Sequence, residues 1–146
     1  MTLSLSVGAR SAMLDGFETY LVVGASQATL TIYQTNVALA VFNLGASSTG
    51  TPFGSATAGS LALSSTLSAP VSNTGTAVAG TVNRFVIVNQ NAATAGSGTV
   101  SAVGGGGDLE TPSLTVTAAS TQKLNALTLR QASNGLLSWE GSLTLV

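Results

Sequence analysis

The chain has no cysteine and no histidine among its 146 residues. Without cysteine there is no disulfide framework and no thiolate metal site. Without histidine the usual general base at neutral pH is missing, and so is the commonest metal ligand. Charge is scarce as well. Charged residues make up 6% of the chain, against roughly a quarter of a typical globular domain. Four basic residues (Arg10, Arg84, Lys123 and Arg130) stand against five acidic ones, for a net charge of −1. So few cations argue against direct binding of nucleic-acid phosphates. Long apolar runs are also missing. The stretches at 21–23 and 37–42 fall far short of the roughly 20 residues of a spanning helix, so no membrane span is expected. No basic region precedes the first apolar residues, so no secretion signal is expected either.

What the chain does have is small neutral residues. Ala, Gly, Ser and Thr together exceed half of it, while apolar residues reach 45% and the mean hydropathy is +0.47. Disorder accompanies low hydropathy and high net charge, so this composition predicts a folded chain of one domain's length. A surface so weakly charged has little repulsion to hold copies apart. It suits a protein whose surface is covered by neighbours in an assembly.

Two periodicities divide the chain. Leu3, Leu5 and Val7 alternate with Ser4, Ser6 and Gly8, which predicts an extended arm or edge strand over residues 1–9. Met13, Leu14, Phe17 and Leu21 then share one helical face, predicting a helix over 11–22 with Ser11 as N-cap and Gly24 as stop. Beyond it the pattern is of short strands, at 29–34, 37–44, 60–63, 81–88, 99–103, 114–117, 124–130 and 141–146. The turn signals between them are Pro70, Asn73-Thr74-Gly75, Gly96-Ser97-Gly98, residues 104–108, Pro112 and Asn134-Gly135. Residues 45–59, with Pro52-Phe53-Gly54, read as a loop. Strands at this spacing suit an antiparallel sandwich or barrel. The expected fold is a mostly β, single-domain antiparallel β-sandwich of jelly-roll type with one short N-terminal helix. Its parts are an arm (1–9), the sandwich (10–130) and a C-terminal extension or final strand (131–146).

Candidate chemistry is thin. Asp15 and Glu18 share a helix face, but two carboxylates without further oxygen ligands make a poor cation site, and they read as decoration of the helix surface. Asp108 and Glu110 follow four glycines, yet a phosphate-binding loop needs a Gly-Lys-Ser/Thr ending that opens a helix; a role in capping turns or accepting from backbone amides fits better. Arg84 is a candidate for a cross-strand or intersubunit ion pair, and Phe42, Phe53 and Phe85 are core candidates. Trp139 is either an interface anchor or a core residue, and its context does not choose between them. No Gly-x-Ser-x-Gly elbow is present and no histidine could activate a serine. No enzyme activity, cofactor or metal is expected.

The order of features resembles a family of small tailed-phage and prophage proteins encoded among head genes. The likeness rests on residues 12–20 (AMLDGFETY), the strands at 30–33 (LTIY) and 39–44 (LAVFNL), the Gly/Thr/Ala-rich segment 74–80, the strand at 84–87 (RFVI), the turn ending Gly107-Asp108-Leu109, and an alternating Leu/Thr strand near the end. It spans about residues 12–130. Two features depart from it: Gln34-Thr35-Asn36 passes straight to Val37 where the family carries Gly-Thr-x-Pro, and residues 131–146 run past the usual end. The resemblance implies a virion structural protein, a head decoration (cement) protein on the outer capsid surface. Its partners would be the major capsid protein and copies of itself, as a dimer or trimer. A tail or tail-tip protein and a carbohydrate- or host-surface-binding module are the alternatives. Apolar residues near chain ends need a partner, so Leu3, Leu5, Val7, Leu136, Leu137 and Trp139 are the expected interface.

Overall fold

The computed structural model describes residues 3–23, 27–45, 53, 55–62 and 70–146. Helix α1 (Val7–Leu21) is followed by strands β1 (Ala28–Gln34), β2 (Val37–Gly45), β3 (Ser60–Ala62), β4 (Val71–Thr74), β5 (Gly80–Thr81), β6 (Arg84–Val88), β7 (Thr94–Ala102), β8 (Leu109–Thr111), β9 (Thr115–Val116), β10 (Lys123–Gln131) and β11 (Leu137–Thr144).

The strands close on themselves. Hydrogen-bonded neighbours run β11-β8-β7-β6-β1-β2-β4-β10, and β10 pairs in turn with β11, so eight strands form a barrel. The ninth, β3, lies on the edge of β10 that β4 leaves uncovered: β4 pairs with Lys123 and Leu124, β3 with residues 128–130. This corrects the expected sandwich. An open sandwich keeps free sheet edges, whereas closure removes them. Nor is the barrel wholly antiparallel, because the three-residue β8 runs parallel to both of its neighbours, β7 and β11.

Alternation explains the interior. Leu30 faces Phe42 and Ile87 across the two edges of β1, and Ile32 faces Ala40 and Phe85. All but Ala40 are fully buried. Next to the large side chains of β6, strand β7 presents glycine: Gly98 pairs with Phe85 and Gly96 with Ile87. A Cβ on Gly98 would lie 2.6 Å from the Phe85 ring, and one on Gly96 would press on the Trp139 indole. Small residues facing large ones let the rings fill a tapering barrel. Leu127 and Leu129 on β10, and Trp139 and Leu143 on β11, complete this wall.

Helix α1 lies across the barrel end where β6 and β10 finish. The Gln90 amide donates to the Leu21 carbonyl at 3.3 Å, and the Arg10 guanidinium donates to the Gln131 carbonyl at 3.0 Å. Leu14 and Leu21 are buried beneath it. The helix starts earlier than its periodicity predicts. Ser6, not Ser11, is the N-cap, its hydroxyl accepting from the Ala9 amide at 3.2 Å. Residues 7–9 are therefore the first helical turn rather than part of an extended arm, and Gly24 lies outside the described residues. Three alternating apolar residues were too short a run to tell a strand from a helix start. At the other barrel end β5 and β9 pair as a two-stranded ribbon, with Gly80 of β5 against the buried Leu39 side chain.

The C-terminal segment is an integral strand. β11 pairs with β10 from Leu137 to Thr144 and so supplies the closure. Two expected turns are strand instead: Gly96-Ser97-Gly98 lies inside β7, where small residues make room for the rings beside them, and Asn73-Thr74 ends β4. The strand β8 has no counterpart in the sequence pattern, the stretch 81–88 divides into β5 and β6, and Leu63 lies outside the described residues.

Candidate interaction interface

The residues expected at an interface come from both ends of the chain, and the fold brings most of them to one place. The Leu5 amide donates to the Ser133 carbonyl at 2.6 Å, and Leu5 Cδ1 sits over Gly135 in the β10–β11 turn. Residues preceding α1 thus lie against the tip of the closing hairpin. Leu3 (65% exposed), Leu136 (68%) and Leu137 (58%) present their side chains to solvent there, with Val7 and Met13 of α1 also exposed. Met13 and Leu137 border a small apolar cavity of about 110 Å³ that Leu14, Phe17, Leu129 and Gln131 also line. Exposed apolar side chains clustered in this way make the face a candidate contact surface.

The helical spacing predicts Met13 on the buried face with Leu14 and Phe17; it is exposed and rims the cavity that they line.

Trp139 stands apart from this set. Its indole is partly buried, edge-on to Phe17 at 5.8 Å and to Phe85 at 6.2 Å between centroids. It joins helix, barrel wall and barrel interior, which is a core role at the margin of the interface.

Each carboxylate has a structural partner. Asp15 Oδ1 accepts from the Ala56 amide at 2.8 Å and Glu18 Oε1 from the Phe53 amide at 3.3 Å. Both therefore tie Phe53 and Ala56 to the helix instead of decorating a solvated face. Asp108 Oδ2 accepts from the Thr99 amide and hydroxyl, and Glu110 from the Gly106 amide at 3.4 Å. These are the backbone-binding roles expected of carboxylates after a glycine turn. Glu140 pairs with Arg130 at 2.7 Å. Its charge and hydrogen bond hold the Arg130 pKa above the ordinary arginine value. Among the described residues no three Asp or Glu side chains gather in a metal-holding group.

Arg84 makes no cross-strand ion pair among the described residues. It stacks on its cross-strand neighbour Tyr33, 4.4 Å from the ring centroid, and its Nε donates to the Thr35 carbonyl at 2.6 Å. A cation over an aromatic face is stabilised by the ring quadrupole. The hydrogen bond locks the β1–β2 turn, where Thr35 takes φ +53°.

Among the described residues no helix is long and apolar enough to cross a membrane. No family model, no curated protein and no solved structure matches the chain.

Proposed function

We propose that the chain is a virion structural protein: a head decoration protein that binds the major capsid protein on the outer capsid surface, beside copies of itself. The observation that carries this reading is the apolar cluster at the helix end, where Leu3, Val7, Met13, Leu136 and Leu137 stand exposed on a chain with very little charge. Leaving such side chains in water is unfavourable by roughly 25 cal/mol per Å² of apolar surface, and covering them with a lattice of neighbours recovers it.

Two further observations favour a structural role. The five carboxylates, the groups an enzyme without histidine or cysteine would use, are all engaged in holding backbone or in an ion pair. Trp139, on which a sugar-binding reading depends, is partly buried and packed against Phe17 and Phe85.

The test is co-sedimentation of the purified chain with undecorated heads of the phage that encodes it. The parent chain is expected in the pellet at hundreds of copies per head, and Leu136→Ser/Leu137→Ser in the supernatant while still folded. A parent chain that stays in the supernatant would sink the reading, and a few copies found at the tail of intact particles would move the protein there.

A further inference from the structure

A second cavity, of about 270 Å³, lies beside the apolar one, with Gln131 lining both. Arg10, Gly59, Ser60, Arg130 and Ser138 are among its walls. Half of the chain's four cations therefore meet at one notch. Among the described residues the single carboxylate paired with either is Glu140, and it is spent on Arg130.

Arg10 has no such partner among the described residues. Its guanidinium donates to the Gln131 carbonyl and packs on Gly59, where a Cβ would come within 2.8 Å of a terminal nitrogen. Gly59 carries φ +76°, so glycine is required there both by the backbone and by the arginine. Arg10 Nε is buried without a hydrogen-bond partner among the described residues. A partly buried cation without a counter-charge is costly, and a carboxylate with good geometry offsets that cost.

From this arrangement we infer that the Arg10–Arg130 notch is a receptor for one carboxylate, the Asp or Glu side chain of a protein seated on the adjoining apolar face. The two terminal nitrogens of a guanidinium match a carboxylate with two parallel N–H···O bonds, and they are the Arg10 donors left to a ligand, since Nε is buried and one NH1 hydrogen is given to Gln131. Arg10 supplies the unpaired charge, and Arg130 with the Ser60 hydroxyl, 3.3 Å from its guanidinium, supplies the second wall. The apolar cavity and the notch then form a two-part recognition site, one part for an apolar side chain and one for an acid. That the occupant belongs to a protein rests on the helix end being an assembly face; the carboxylate preference does not.

The isolated chain tests it. Arginine Nε–Hε signals are followed by NMR while sodium acetate replaces sodium chloride at constant ionic strength. Arg10 and Arg130 should shift saturably, and Arg84, stacked on Tyr33, should serve as the unresponsive reference. Arg10→Lys keeps the charge without the fork, and should weaken the Arg130 response about tenfold. If all three arginines drift together without saturation, the site does not exist. Tighter saturation by inorganic phosphate than by acetate would also overturn the assignment, making it an oxyanion site of another kind. Saturation with acetate alongside failed head co-sedimentation would uphold the notch and reject the capsid reading; the reverse pair of results would do the opposite.

Discussion

The ring of Phe17 on α1 meets the indole of Trp139 on β11 edge to face, with centroids 5.8 Å apart and planes inclined by 66°. The contact couples the helix that covers the barrel end to the strand that closes the barrel. Trp139→Ala is therefore expected to lower folding stability by about 3 kcal/mol. A cycle with Phe17→Leu should return a coupling of about 1 kcal/mol. Urea unfolding followed by circular dichroism measures both, and a Trp139→Ala chain as stable as the parent would refute the core role.

Two glycines should respond in opposite directions to the same change. Gly16 sits in mid-helix with open space where a Cβ would go. Gly16→Ala should stabilise the chain by about 0.5–1 kcal/mol. Gly141 lies on crowded β11, where a Cβ would run into the Ala126 carbonyl and a methyl of Leu109. Gly141→Ala should cost about 2 kcal/mol through overpacking. Thermal melts of the two variants bracket the parent if the closure is as described.

Gln122 is wholly buried and holds the last residue by both of its main-chain groups. Its Oε1 accepts from the Val146 amide at 2.7 Å, and its Nε2 donates to the Val146 carbonyl at 2.8 Å. Gln122→Met keeps the length and loses the hydrogen bonds. We expect a loss of about 1–2 kcal/mol together with fast hydrogen exchange at the Val146 amide. Unchanged protection at that amide would show that another group holds it.

Removing divalent metal should leave the melting temperature where it is, because the acidic side chains are committed to backbone amides and to Arg130. Asp15→Ala, by contrast, strips the acceptor from the Ala56 amide and should cost about 1 kcal/mol. A melt with EDTA and a melt of the variant separate the two. A large EDTA effect would mean that one of these carboxylates binds metal.

The strands with sustained alternation were legible from sequence. Residues 29–34 and 37–44 pair as β1 and β2, and 124–130 fall within β10. Leu30 and Ile32 alternate with Thr and Tyr, while 37–44 is a short run apolar on both faces, the length and pattern of a strand. The helix was legible through Leu14, Phe17 and Leu21. The interface residues at the two chain ends were legible only as apolar residues in need of a partner; their meeting at Leu5 and Ser133 was not. The Arg10–Arg130 notch was invisible, since 120 residues separate its two guanidinium groups in the sequence and no local pattern links them.

The sequence by itself determined that this chain folds, that it is mostly β with one helix, and that it carries neither histidine nor cysteine chemistry. Composition and period act locally, on which residues prefer to be extended and which face is apolar. Whether those strands close was decided by tertiary structure alone. Alternation reads the same in a sandwich and in a barrel. The choice rested on the pairing of β11 with β8 and β10, and on glycines at 96, 98 and 141 that leave room for the Trp139, Phe85 and Leu109 side chains. Those are contacts between residues far apart in the chain, and only packing in three dimensions brings them within reach of one another.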